Sequence, residues 1–177
     1  MTSTNSSQST NLTDKSRSEL MRKTRCCFTG HRPQGLKRPI DDIKVDLENS
    51  ILSAINEGYT TFISGLAYGV DIWAAETVIR LKDRFNNLHL IAAVPFPDFA
   101  EEWTQDWQAR YKRLLSASEY VKYLEPKYTS EAYQERNIWM VNHASMVIAV
   151  YNGRASGTRN TINYAKQCRI PIKYLSA

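Results

Sequence analysis

The residues best suited to hold a charged ligand lie in two turns, each between an apolar segment and a helical pattern. Residues 64–71 read SGLAYGVD and follow the apolar end of residues 59–63. Residues 151–158 read YNGRASGT and follow the apolar residues 146–150. The free backbone N–H groups and the dipole at the start of a helix both favour a bound anion. Two such turns predict a site for a nucleotide-like, phosphate-bearing ligand.

The first turn contains three residue types that suit a nucleotide. Gly65 and Gly69 allow a close approach that a Cβ atom would block. Asp71, in the first turn of the predicted helix, has two interpretations: it caps free N–H groups, or it accepts a hydrogen bond from a sugar hydroxyl. Tyr68 is either a ring on which a base stacks or a lid over the core.

Further candidates come from the other loops. Arg32, in the segment TGHRP, follows the first apolar segment, and a guanidinium grips phosphate in a planar fork. Phe96 is fixed between two prolines, where it could stack on a ligand, and Asn137 orients either the ligand or the neighbouring backbone. The predicted ligand-binding residues are Thr29, Gly30, His31, Arg32, Ser64, Gly65, Tyr68, Gly69, Asp71, Phe96, Asn137, Asn152, Gly153, Ser156, Gly157 and Thr158. No catalytic residue and no metal ligand is predicted, and no cofactor is required.

Alternating apolar runs and helical periodicity predict the elements that position these turns. Strands are expected at residues 25–29, 60–63, 88–94, 119–124, 145–151 and 170–175, with helices at 40–57, 70–85, 103–117, 129–143 and 158–168. This order predicts an α/β fold, a single Rossmann-like domain whose mostly parallel sheet carries helices on both faces. Ligands of such sheets bind outside the carboxyl ends of the strands, where the predicted loops converge.

Length and composition set the domain organisation. A chain of 177 residues that is 42% hydrophobic can bury one core. Residues 1–23, rich in Ser and Thr, are predicted to be a disordered tail, and residues 24–177 the folded domain. No segment has the pattern of a signal peptide or a membrane span. Three cysteines without metal-ligand spacing suggest reduced thiols, so a cytoplasmic protein is expected.

The net charge is a weak indication of a nucleic-acid partner. Of the formal net charge of +5, residues 1–25 account for +3, because they hold five basic and two acidic side chains. The remaining residues are therefore only weakly basic, which disfavours a strong polyanion groove in the domain. Four Trp and ten Tyr residues do offer stacking surfaces.

Four motifs in this order resemble the SLOG superfamily of Rossmann-like domains. They are TGHRP at 29–33, SGLAYGVDIWAAE at 64–76, RNIWM at 136–140 and SGTRNT at 156–161. The likeness is greatest to the small bacterial and phage proteins of the YpsA type, and SGLAYGVD is also similar to the corresponding turn of DprA proteins. The resemblance implies a pocket for a nucleotide derivative and a domain that is often a homodimer.

Three function classes follow from these observations. The first is a binding domain for a nucleotide or nucleotide derivative, acting as a sensor or regulator. The second is a hydrolase or transferase that acts on the N-glycosidic bond of a nucleotide, with Asp71, Glu76, Glu101 or Glu102 as candidate acids. The LOG enzymes of the superfamily have a glutamate after their Gly-Thr pair, whereas Arg159, Asn160 and Thr161 follow Gly157-Thr158 here. The third is a single-stranded DNA binder of the DprA kind.

Overall fold

The computed structural model describes residues 16–177, which form one six-stranded parallel sheet with helices on both faces. The strands are β1 (Arg25–Gly30), β2 (Thr61–Ser64), β3 (His89–Val94), β4 (Tyr120–Tyr123), β5 (Met146–Tyr151) and β6 (Ile172–Ser176). The helices are α1 (residues 16–22), α2 (Ile40–Asn56), α3 (Val70–Leu81), α4 (Gln105–Ala117), α5 (Ala132–Asn142) and α6 (Gly157–Gln167). A short 3-10 turn covers Pro33–Gly35.

The strand order β4-β3-β2-β1-β5-β6 places a switch in chain direction at the centre of the sheet. The chain first steps outward from β1 to β4, and then returns to add β5 on the other side of β1. Crevices for ligands form where neighbouring connections leave a sheet in opposite directions. The connections after β1 and β5 diverge in this way, so the fold itself creates a crevice at their carboxyl ends.

The two faces of the sheet have separate hydrophobic cores. Helices α2, α3 and α4 cover one face and pack on side chains such as Phe28, Phe62 and Leu90. Helices α5 and α6 cover the other face and pack on Cys27, Ile91 and other side chains of that face. Because both faces of the central strands are buried, their sequences are nearly continuous apolar runs. This arrangement confirms the predicted α/β class, and every strand pair is parallel.

The amino-terminal part of the domain differs from the sequence-based expectation. Residues 16–22, assigned above to a disordered tail, are helical, and Arg22 Nε donates a 2.9 Å hydrogen bond to the carbonyl of Ala144. Ser145 Oγ donates to the carbonyl of Lys23, which joins the same segment to the start of β5. The rest of the predicted tail, residues 1–15, lies outside the described residues. Among residues 16–177, no helix is long and apolar enough to cross a membrane.

Candidate ligand-binding site

A cavity of about 490 Å³ lies at the carboxyl ends of β1 and β5, where the strand order predicts a crevice. Its size is within the range of small-molecule sites. The loop after β1, the start of α3, the first turns of α5 and the start of α6 all contribute to it. Its lining residues are Thr29, Gly30, His31, Arg32, Gly35, Ala67, Asp71, Phe99, Tyr133, Arg136, Asn137, Met140, Ser156, Gly157 and Thr158.

A buried acid–base pair forms part of the wall. Asp71 from α3 is 6% exposed and Arg136 from α5 is 7% exposed. Arg136 Nη1 lies 3.9 Å from Asp71 Oδ2 and donates a 2.7 Å hydrogen bond to the carbonyl of Gly65. Asp71 Oδ1 and Arg136 Nε have no hydrogen-bond partner among the described residues. Buried polar atoms are nearly always hydrogen-bonded, so this pair has unused capacity for a ligand.

Burial also changes the acidity of the pair. Desolvation raises the pKa of Asp71 to about 6, although the charge of Arg136 and the backbone N–H of Ala67 act in the opposite direction. Desolvation likewise lowers the pKa of Arg136, opposed by the charge of Asp71. The carboxyl group therefore changes its charge near neutral pH, and it can either accept or donate a hydrogen bond.

The turn at residues 64–71 is closely packed against other protein groups, so it is less open than a turn that binds a phosphate. Ser64 Oγ accepts a hydrogen bond from the N–H of Leu66 and donates one to the carbonyl of Asp71. A Cβ atom on Gly65 would collide with the Arg136 guanidinium, so this glycine makes room for a protein side chain. Gly69 precedes α3 with a φ of 100°, a conformation that suits glycine. The carboxylate that faces the positive end of α3 is the protein's own Asp71.

The start of α6 is open by comparison. Ser156 caps the helix, and its side chain accepts a hydrogen bond from the N–H of Arg159. No hydrogen bond among the described residues uses the N–H groups of Gly157 and Thr158. A Cβ atom on Gly157 would meet no atom within 4 Å, so there is space beside these donors. The N–H groups of Gly157 and Thr158 are therefore available to an anion.

Arg32 and His31 form the rim of the cavity on the side of β1. The Arg32 guanidinium lies 4.6 Å from the centre of the Tyr68 ring, and Nη1 donates to the Tyr68 hydroxyl at 3.2 Å. His31 Nε2 accepts a 3.2 Å hydrogen bond from the N–H of Asn152, which requires an unprotonated Nε2. Burial lowers the pKa of His31, which favours the same neutral state. His31 therefore joins the β1 and β5 loops.

Nine of the predicted ligand-binding residues line this single cavity. They are Thr29, Gly30, His31, Arg32, Asp71, Asn137, Ser156, Gly157 and Thr158. The two predicted anion turns thus meet at one site, which a shared ligand requires.

The other seven predicted residues, Ser64, Gly65, Tyr68, Gly69, Phe96, Asn152 and Gly153, lie outside the lining. Phe96 is buried among the rings of Phe99, Tyr128 and Tyr133, so its ring is part of the core. Tyr68 packs edge-on against Trp103, in agreement with its alternative role as a lid over the core. The Asn152 amide donates to the carbonyl of Gly35 and shapes its own loop.

Six lining residues are absent from the sequence-based set: Gly35, Ala67, Phe99, Tyr133, Arg136 and Met140. Three of them lie on α5, and their positions relative to Asn137 give a signal in the sequence. Residues 133, 136, 137 and 140 recur at spacings of three and four, so they share one helix face. Assigning Asn137 to the site would therefore have predicted Tyr133, Arg136 and Met140 as well.

The carboxylates proposed for catalysis do not meet at the site. Glu76 accepts hydrogen bonds from Arg110 at 2.6 and 2.8 Å, and another from Arg113. Glu101 lines a separate, smaller cavity, and Glu102 is exposed. Among the described residues, Asp71 is the one carboxylate in the wall of the main cavity. A mechanism that needs two carboxylates across a glycosidic bond lacks its second group here.

Comparisons with known sequences relate this chain to one protein family. The model YpsA, described as the YspA SLOG family, matches residues 26–176. The SPbeta prophage-derived protein YoqJ of Bacillus subtilis is 32% identical over 138 residues, which are 68% of this chain and 81% of YoqJ. A UPF0398 protein of Bacillus licheniformis is 25% identical over 118 residues, 66% of this chain and 64% of that protein.

Solved structures show the same fold in DNA processing protein A (DprA). The protein from Streptococcus pneumoniae has a TM-score of 0.58 and 18% identity, over 88% of this chain and 51% of that one. The protein from Helicobacter pylori, described with its single-stranded DNA binding mode, has a TM-score of 0.62 and 18% identity, over 88% and 67%. This chain thus spans about half of the S. pneumoniae chain, and at this identity the likeness concerns the fold.

The family assignment agrees with the geometry, since the motifs at 29–33, 64–71, 136–140 and 156–161 all contribute to the cavity or its immediate support. The match to the family model covers nearly the whole described chain. This protein therefore belongs to the YspA SLOG family.

Proposed function

We propose that the cavity binds a nucleotide or nucleotide derivative and that the protein acts as a sensor or regulator. One observation carries this proposal: Asp71 and Arg136, each with one buried polar atom that has no partner, line a cavity that also contains the open start of α6. The Asp71–Arg136 pair can form hydrogen bonds with hydroxyl groups, and the open N–H groups at the start of α6 can bind a phosphate. A ribose phosphate has both groups at a fixed separation.

The assignment of groups within the ligand follows from charge. The N–H groups of Gly157 and Thr158 and the guanidinium of Arg32 take the phosphate, since all of them are donors. The Asp71 carboxylate accepts a hydrogen bond from a ribose hydroxyl, and the Arg136 guanidinium donates to a second oxygen. Phe99 and Tyr133 supply the apolar wall for the base.

Thermal unfolding tests this proposal. The four common ribonucleoside 5′-monophosphates are compared with their 2′,3′-dideoxy forms and with inorganic phosphate. We expect at least one ribonucleotide to raise Tm by about 5 °C at about 100 times its Kd. The dideoxy form is expected to raise Tm less, because it leaves Asp71 without its partner. No shift with any ribonucleotide, or equal shifts with inorganic phosphate alone, would contradict the proposal.

Two arginine variants, one in the cavity lining and one outside it, test whether the rise in Tm comes from binding at this site. Arg32→Ala is expected to remove most of the shift, because it deletes a cation at the rim. Arg84→Ala is the control, since Arg84 is also an exposed arginine over an aromatic ring, 5.6 Å from the centre of Phe85. It follows the end of α3 and does not line the cavity. Equal losses in both variants would argue against this site.

We infer binding without cleavage from the single carboxylate in the cavity wall. The enzyme alternative requires turnover of the N-glycosidic bond. Prolonged incubation with ribonucleotides, followed by chromatography for the free base, distinguishes the two functions. Release of base that disappears in Asp71→Asn would establish the enzyme instead.

Binding of single-stranded DNA is a second candidate function. Its support is the DprA fold, because one of the two DprA structures is described with single-stranded DNA. Fluorescence anisotropy of a labelled oligothymidine measures this binding directly. Affinity for the oligonucleotide that is unaffected by a saturating mononucleotide would indicate a surface separate from the cavity.

A further inference from the structure

A second surface lies on the α5 side of the sheet and extends from the amino ends of β1 and β3 to Lys122 of β4, which is paired with Ala93 near the end of β3. We refer to the surface made by Arg25, His89, Tyr120, Lys122, Trp139 and His143 as the α5–β4 groove. Strand register defines it: Ile91 and Ala93, whose side chains pack in the α5–α6 core, are paired with Tyr120 and Lys122 of the edge strand β4. Side chains alternate between faces along a strand, so Arg25 and His89 also point to this face.

The groove collects positive charge around His143. Burial lowers the pKa of His143, and the charges of Arg25, Arg22 and Lys122 lower it further. Among residues 16–177, no carboxylate lies within 4 Å of the charged ends of these three side chains. Their charge is therefore available to a partner.

Three carboxyl groups, Glu125, Glu131 and Glu135, interact with one another where β4 ends and α5 begins. The acidic side chains at the other end of the groove are Glu119 and Glu19. Glu119 is held by an ion pair with Lys82 and by the N–H of Leu90, and it also lies 3.9 Å from His89 Nδ1. Glu19 shares a neighbouring depression with Arg22 and Lys23. Basic side chains outnumber these two acids at the amino ends of the strands.

Aromatic rings lie between the basic groups. Tyr120 is 53% exposed. Trp139 and His143, both half-buried, stack with ring centroids 4.0 Å apart and 22° between their planes. A basic track with interleaved rings is the chemistry that binds single-stranded nucleic acid, because phosphates contact the cations and bases stack on the rings.

We propose that the α5–β4 groove binds single-stranded nucleic acid. Phosphates contact Lys122, Arg25 and Arg22, and bases stack on Tyr120 and on the Trp139–His143 pair. This inference rests on the second candidate function, and it places the nucleic acid along edge strand β4 and the end of α5, on residues that do not line the cavity.

The test uses the full chain and a fluorescein-labelled 30-nucleotide oligothymidine, with anisotropy measured at 50 to 200 mM salt. Lys122→Glu is paired with the control Lys173→Glu, which makes the same charge change in the other edge strand, β6, on a half-buried lysine. Tyr120→Ala is paired with Tyr174→Ala, since Tyr174 is 49% exposed on β6. Circular dichroism confirms that all four variants are folded.

We expect Lys122→Glu and Tyr120→Ala each to raise Kd about fivefold or more, with changes below about twofold in the β6 controls. Lys122→Glu should also reduce the slope of log K against log salt by about 0.7, the value for one lost phosphate contact. No binding by the unmodified chain would overturn both the function and the surface. Binding that all four variants retain equally would overturn the surface alone. Equal affinity for a labelled 30-residue polyglutamate would overturn the assignment to nucleic acid.

Discussion

At the scale of single residues, the Asp71–Arg136 pair distinguishes this site from an ordinary loop cluster. The structure holds both groups in a buried position with one unpartnered polar atom each. Burial of an incompletely paired ion couple costs stability, and a cavity wall is a place where such a cost has a functional use. Two predictions follow from the local geometry of this pair.

The first prediction concerns how the free energy of unfolding depends on pH. The pKa of Asp71 is raised to about 6 in the folded protein from 3.8, so the folded state binds the proton more tightly than the unfolded chain. The group therefore favours folding below about pH 4, and its contribution is lost as the pH rises through about 6. The free energy of unfolding of the unmodified protein, minus that of Asp71→Asn, should fall by about 2–3 kcal/mol from pH 4 to 7.

Urea unfolding of both proteins at several pH values measures this difference, and other carboxylates cancel in the subtraction. A difference that stays constant over this range, or rises with pH, would contradict the raised pKa.

The second concerns Gly65. A Cβ atom at this position would displace the Arg136 guanidinium, so Gly65→Ala should destabilise the fold by about 1–3 kcal/mol and weaken ribonucleotide binding. Gly157→Ala is the control for stability alone, because a Cβ atom on Gly157 meets no protein atom within 4 Å, whereas Gly157 itself lines the cavity. Chemical unfolding with thermal shifts measures both effects. Similar losses of stability in the two variants would show that Gly65 does not make room for Arg136.

At the scale of elements, the site depends on how α6 begins. Among helices α2 to α6, Ser156 of α6 is the one capping residue whose side chain is hydrogen-bonded to its helix, at 3.3 Å from the backbone nitrogen of Arg159. That bond fixes the first turn of α6 and leaves the N–H groups of Gly157 and Thr158 directed to the open space. The cap thus serves helix stability and the candidate phosphate position together.

Removing this cap should cost stability. Ser156→Ala is expected to lower the free energy of unfolding by about 1 kcal/mol, the usual cost of a lost cap. Thr104→Ala serves as the control, because Thr104 occupies the same position before α4 but makes no capping hydrogen bond through its side chain. Equilibrium unfolding in urea gives both values. A larger loss for Thr104→Ala than for Ser156→Ala would reverse this expectation.

At the scale of the whole molecule, the return of the chain from β4 to β5 organises both stability and function. It places β1 and β5 between other strands, leaves β4 and β6 as edges, and brings four loops to one crevice. The same topology leaves β4 uncovered beside α5, where the second surface lies. One chain path therefore creates both the cavity at the carboxyl ends of β1 and β5 and the separate surface along β4 and α5.

Rates of amide hydrogen exchange should differ between strands that are paired on both sides and the edge strand β4. Amides of β1 and β5 lie between paired strands on both sides, so they exchange only in large-scale unfolding, whereas those of β4 also exchange through local opening. Mass spectrometry of peptides covering residues 26–30, 120–123 and 146–150 measures the three rates. We expect the β4 peptide to exchange fastest, and equal protection of all three would contradict the central position of β1 and β5.

The amino-acid sequence by itself determined the elements from residue 25 onward, the fold class and the position of the candidate site at strand ends, whereas the helix at residues 16–22 was not predicted. Local patterns suffice for these features, because apolar runs and helical spacing are read within a few residues, as in β3 and α2. The start of α6 was also predictable, since SGT before a helical pattern is a local signal for a cap and free donors. Nine residues of the cavity wall follow from such signals.

Only the tertiary structure decided which of these residues line the same cavity and which already make contacts within the protein. Arg136 is 71 residues from Gly65 in sequence, yet it fills the space that the glycine leaves, and it faces Asp71 across the site. Phe96 and Asn152 have local patterns typical of ligand contact, but contacts with distant segments use their side chains elsewhere. The Ser64 hydroxyl is engaged within its own turn, by Leu66 and Asp71. Pairing, burial and pKa depend on contacts between segments that are remote in sequence, so they become defined only when the chain is folded.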